Sequence, residues 1–105
     1  MKGEIPCQKV IETETVLAFH DVNKQAPVHI LVIPKRHIAD ILELKQDSDK
    51  LIIEMVRTIQ KIAQDTGLSD NGFRVVNNMG PEGGQTVDHI HFHLLGGRSM
   101  TWPPG

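Results

Sequence analysis

His89-Ile90-His91-Phe92-His93-Leu94-Leu95 is the stretch from which the rest of the chain can be read. Its histidines alternate with apolar residues, which is the period of a β-strand. A strand over 89–95 sets His89, His91 and His93 on one face, roughly 7 Å apart at about 3.3 Å per residue. Ile90, Phe92 and Leu94 then point to the other face, toward a core. Half of the six histidines in the chain thus form one row on one surface. A strand face that only meets water carries Thr, Lys or Glu more cheaply, so the row asks for a chemical explanation. Imidazole can serve as nucleophile, acid, base or metal ligand near neutral pH.

Composition narrows what this row can belong to. A chain of 105 residues suits one domain, 1–105, with one core. Hydrophobic residues at 39% and charged residues at 23% are ordinary for a soluble globular protein. A net charge of −2 leaves no footprint for nucleic acid. No apolar run reaches membrane-spanning length, and Met1-Lys2-Gly3-Glu4 is not a secretory signal, so a cytoplasmic location is expected. Cys7 is the one cysteine, which excludes an internal disulfide and a C-x-x-C pair.

Outward from the histidine row, an edge strand is expected over Ile5–Glu12, where Pro6 is tolerated. A second strand is expected over Val16–His20, and a third over Val28–Ile33, apolar enough to be central. His29 is the polar exception within that third strand. Ile38, Ile41 and Leu42 suggest a short helix ending near Leu44. A longer helix follows Asp47-Ser48, either of which can cap it through a side-chain oxygen. Its stripe is Ile52, Val56, Ile59 and Ala63, widened by Met55 and Ile62, and Gly67 stops it. Phe73–Asn78 reads as the fourth strand, the histidine row as the fifth. Between them Met79–Thr86 carries Gly80, Gly83 and Gly84, which let backbone N–H groups converge on an anion. No Gly-Lys-Ser/Thr follows, so it is not a Walker loop.

His-φ-His-φ-His-φ-φ, with φ apolar, is the signature of the histidine triad (HIT) proteins, and 89–95 matches it throughout. The surroundings resemble the Hint branch, the histidine triad nucleotide-binding proteins. The matching segments are Leu17–Asp21, Val32–His37, Gly83–Val87, and Gly96-Gly97-Arg98 through Trp102-Pro103-Pro104-Gly105. The resemblance implies an α+β fold: a five-stranded antiparallel sheet with one long and one short helix, pairing into a homodimer. It also implies a purine nucleoside phosphoramidate hydrolase acting on AMP-linked substrates, adenosine 5′-phosphoramidate and aminoacyl-adenylates, through a nucleotidyl-histidine.

By the same resemblance His91 is the nucleophile, His93 delivers a proton to the amine, and His29 and His89 orient the others. Asn78, Gly84, Gln85 and Thr86 surround the phosphate, and Asp21 accepts from ribose hydroxyls. Ile5, Phe19, His20 and Val22 line the base pocket, while Trp102 lies on a tail that reaches toward the partner's site. Relatives usually place a helix, often with a C-x-x-C pair, ahead of Gly3-Glu4-Ile5-Pro6. This sequence opens at that segment, so neither a structural zinc nor any other cofactor is expected. Two rivals remain at this level: a metalloenzyme using a His-x-His pair, although no carboxylate stands beside the row in sequence, and a non-catalytic nucleotide-binding module.

Overall fold

The computed structural model describes residues 8–105, so Ile5 and the start of the first expected strand lie outside the described residues. Five strands build one antiparallel sheet: β1 (Lys9–Glu12), β2 (Val16–His20), β3 (Val28–Pro34), β4 (Arg74–Asn77) and β5 (Phe92–Gly96). Their order is β1-β2-β3-β5-β4. β3 takes the centre because both of its faces can be buried. Ile30 and Val32 are inaccessible on one side, and His29 and Ile33 nearly so on the other. Helix α1 (Asp49–Asp65) covers only the Ile30 side. There Met55, Ile59, Ile62 and Ala63 pack with Val16, Ala18, Ile30, Val32 and Leu94. Burying side chains the size of Met55, Ile59 and Ile62 contributes about 1.5–3 kcal/mol each, together more than a helix cap adds.

Several local expectations are corrected. Neither Asp47 nor Ser48 caps α1 through its side chain; a 3₁₀ turn, Gln46–Ser48, leads straight into the helix. The buried stripe is rotated from the expected one. Met55, Thr58, Ile59, Ile62 and Ala63 face inward, whereas Val56 is 48% exposed. The short helix is a single 3₁₀ turn, Ile41–Glu43, capped by Asp40, which accepts from Leu42 N and Glu43 N. Ile38 stays outside that turn because its carbonyl accepts from Ile90 N instead, at 2.7 Å. Gly67, with φ +80°, does end the long helix, and one-turn helix α2 (Leu68–Asn71) follows. The glycine-rich connection also contains a turn of helix, α3 (Gly80–Gly83), closed by Gly84 at φ +80°.

The fifth strand begins later than its alternation suggests. Pairing with β3 and β4 starts at Phe92, so His89, Ile90 and His91 precede the ladder. Alternation survives there all the same. Ile90 and Leu94 are buried with the core, and the histidines look the other way. The helix-free face of the sheet is therefore where the chemistry-bearing residues gather.

Candidate active site

Across that face the register aligns Phe19, Leu31, His93 and Val76 in one row. His29 enters from β3, one step from His93 on the neighbouring strand, and is 2% exposed. Burial obliges both nitrogens of this ring to find partners. Nδ1 accepts from Gln25 N–H at 3.0 Å, so the neutral ring carries its proton on Nε2. Nε2 lies 2.8 Å from His93 Nδ1 and 3.3 Å from Asp21 Oδ2. Given that tautomer, His29 donates to His93 Nδ1, and the neutral His93 keeps its proton on Nε2.

His91 is settled by the same reasoning. Its Nδ1 lies 2.9 Å from the carbonyl oxygen of His89, which can only accept. Nδ1 therefore bears the proton, and Nε2 is left with its lone pair. The His91 and His93 rings meet edge to face with centroids 5.1 Å apart. A nucleophilic lone pair thus stands beside an N–H donor. Asn77 Nδ2–H holds the His91 carbonyl at 2.9 Å, a brace the sequence did not suggest. His89 donates from Nε2 to Pro34 O at 2.8 Å, and its Nδ1 faces His37 Nδ1 at 3.4 Å.

His29 and His93 both hold their pKa below the ordinary imidazole value, first through burial. For His93 the neighbouring His91 and His29 add to the depression, and Asp21 opposes it for both rings. The sign for stability follows from proton uptake. Below the ordinary value of 6.5 the unfolded chain binds protons that the folded one refuses, so stability is full above that pH and is lost on acidification. The melting temperature should fall between about pH 7 and about pH 5. A His93→Gln variant should fall less steeply, and an equal slope by calorimetry would remove His93 from the account.

Beside the row lies a hollow of ≈ 280 Å³ lined by Phe19, Leu31, Ile33, Val87, His89 and His91. Of the described residues expected around a base, Phe19, His20 and Val22, only Phe19 is in its wall. Leu31, Ile33 and Val87 were missed, although Leu31 and Ile33 share the parity of His29 along β3. His20 pairs with Ile30, which sets its Cβ on the opposite face from Phe19. Val22 stands in solvent, 94% exposed, and Trp102 is 81% exposed.

The phosphate-side expectations divide. Asn78 is half-buried and Thr86 exposed, at the two ends of the glycine-rich loop. Gln85 is used as a brace rather than left free as a donor. Its Nε2 donates to Ala39 O at 2.7 Å and Val87 O at 3.0 Å, while its Oε1 accepts from Gly80 N. Asp21 does not stand clear of the histidines: Oδ1 accepts from Asn23 N and Oδ2 approaches His29. The β2–β3 hairpin bond from Asp21 N to His29 O seats it there. A carboxylate is therefore beside the row after all. Among the described residues, Asp21, His29 and His93 bring three possible metal donors within 4.8 Å of one another. Tetrahedral zinc spaces its donors by about 3.3 Å, whereas 2.8 Å between His29 and His93 is hydrogen-bond spacing.

The fold and this site define a class. Residues 2–100 match the model of the HIT domain, and the chain belongs to that family. It is similar to a HIT family hydrolase of Legionella pneumophila, at 51% identity and a TM-score of 0.95, over 98% of this chain and 92% of the other. It is 47% identical over 107 residues to a 14 kDa zinc-binding protein of Zea mays, covering all of this chain and 83% of that one. A histidine triad nucleotide-binding protein of Candida albicans is 33% identical with a TM-score of 0.81, over 96% and 77% of the two chains. Among the described residues no helix is long and apolar enough to cross a membrane.

Proposed function

We propose that the protein is a Hint-branch nucleoside phosphoramidase that releases AMP from AMP-linked substrates, cleaving the P–N bond of adenosine 5′-phosphoramidate and the P–O bond of aminoacyl-adenylates. The observation that carries this reading is the division of protons between two adjacent rings: a lone pair on His91 Nε2 and an N–H on His93 Nε2. His91 Nε2 attacks the α-phosphorus and the bond to the leaving group breaks, giving a nucleotidyl-histidine. The attacking ring becomes cationic, and its Nδ1–H already points at the His89 carbonyl, which stabilises that charge. His93 hydrogen-bonds the departing amine, which leaves with one added proton. Neutral His93 gives this nitrogen a hydrogen bond and keeps its own proton; the added proton comes from solvent and is returned when water is split in the second step. Water then cleaves the P–N bond to His91, releasing nucleoside monophosphate and restoring the neutral imidazole.

Phe19, Leu31, Ile33 and Val87 offer an apolar wall for a purine, and Asp21 remains the acceptor for ribose hydroxyls. The glycine-rich loop, with Gly84, Asn78 and Thr86, meets the phosphate, and Gln85 fixes its shape. Turnover of adenosine phosphoramidate by the purified protein, followed by release of AMP, tests the reading; binding of AMP without turnover would reduce it to a nucleotide-binding module.

The zinc-binding relative and the Asp21–His29–His93 cluster favour one competing reading, a metal-dependent enzyme. The hydrogen-bond spacing of the rings argues for the metal-free one. The purified protein is therefore expected to carry substoichiometric metal, and EDTA should leave hydrolysis and melting temperature unchanged. Activity that vanishes with the chelator and returns with zinc would put the metal first.

A further inference from the structure

We propose that Arg98, 73 residues from Gln25 in sequence, is a positioning residue that sets the proton positions of the triad. The inference rests on the phosphoramidase reading for its kinetic consequence but not for its structural one. Gly97 turns the chain with φ +90°, and a Cβ there would meet Pro27 Cβ at 2.9 Å. The backbone thus lies close along the 21–27 loop, and the Arg98 guanidinium reaches back over it. Nε and Nη2 both donate to Gln25 O, at 3.3 and 3.0 Å, and Nη1 donates to Ser99 O at 3.1 Å. A planar fork of this kind fixes direction as well as distance.

The Gln25 residue it grips is the one whose N–H meets His29 Nδ1. That N–H excludes a proton from Nδ1, sends it to Nε2, and so makes His93 Nδ1 an acceptor and His93 Nε2 a donor. Without the clamp, the Gln25 amide is free to swing away from His29. The ring can then carry its proton on Nδ1 and accept at Nε2 from His93 Nδ1–H. In that arrangement His93 Nε2 presents a lone pair to the leaving group, and the donor is lost. Asp21 Oδ2, 3.3 Å from His29 Nε2, pulls the proton the right way from the other side. The two tautomers are thus shared out when Arg98 is removed, rather than fully exchanged.

The test uses ¹⁵N spectra of the histidine rings in the full-length protein, with Arg98→Ala and Arg98→Lys. In wild type His29 Nδ1 should resonate as an unprotonated ring nitrogen and Nε2 as a protonated one. In Arg98→Ala both signals should move toward averaged positions, and kcat should drop about tenfold with AMP affinity unchanged. Added guanidinium should reverse both changes. Arg98→Lys, which keeps the charge but not the fork, should fall between the two. Wild-type ring spectra in a folded Arg98→Ala protein would overturn the proposal, as would lost activity that follows only a lowered melting temperature. If wild type turns over no phosphoramidate, the spectra still decide the matter of Arg98, and only the functional reading fails.

Discussion

His91→Ala is expected to lose phosphoramidate turnover by on the order of 10³-fold or more while still binding AMP. The asymmetry follows from where the parts sit. The hollow wall contributed by Phe19, Leu31, Ile33 and Val87 is untouched by the substitution, so ground-state affinity survives. What disappears is the lone pair on Nε2, for which no neighbouring ring can substitute. His93 keeps its proton on the corresponding nitrogen, and His89 is tied to Pro34 O through Nε2. Quenched single-turnover reactions should yield a nucleotidyl adduct on His91 by mass spectrometry. His93→Ala should cost less, and its cost should grow as the leaving amine becomes more basic. An adduct on His89, or turnover surviving in His91→Ala, would sink the assignment.

The second large effect concerns assembly. β4 is an edge strand, and beside it Val56, Phe73 and Val75 are 48%, 40% and 42% exposed. Together with Ile52 and Phe92 they line a shallow hollow that is almost wholly apolar. An apolar face at an open edge is where a second subunit gains most from docking. We infer a homodimer in which two β4 edges continue one sheet. Val56→Glu with Val75→Glu then places like charges across the symmetry axis, which costs several kcal/mol and weakens the dimer by about 10³-fold. Light scattering should find a monomer; an unchanged dimer would move the interface elsewhere. The tail crosses the same region, since Arg74 donates to Thr101 O at 3.0 Å. Deleting 99–105 should leave a dimer of nearly unchanged melting temperature but shift relative kcat/KM among phosphoramidates with different amines. Identical selectivity would make Trp102 part of an ordinary terminus.

How much of this could be read beforehand depended on the kind of interaction. β2 and β3 were legible because β-branched and apolar runs bounded by polar connections have few other uses. The length and end of α1 were legible for the same reason, helped by Gly67. The inward side of α1 was not, because Ile52 and Val56 are apolar for a surface that lies beside the sheet and not beneath α1. The histidine row was legible as a row, yet its first residues do not pair as a strand. Ile90 gives its N–H to Ile38 instead, and an extended segment alternates whether or not it joins a ladder. Asp21 went unplaced beside His29 because the hairpin register that brings them together is a property of two strands. Gln25 carried no signal, and Arg98 was legible only as part of the Gly96-Gly97-Arg98 match and not as a clamp: one acts through its main chain, the other grips a carbonyl that every residue possesses.

The acceptor that turns the His91 ring is the carbonyl of His89, two residues earlier in the same chain. No replacement of a side chain can delete it. His89→Ala takes away an imidazole and leaves the acceptor in place, so an alanine scan of the triad passes over the group that orients the His91 ring. The same holds for the Pro34 carbonyl, which orients His89, and, proline aside, for the Gln25 amide, which orients His29. The aim of these rings is thus inherited from the course of the backbone. Drift in sequence can alter it only by moving the chain itself.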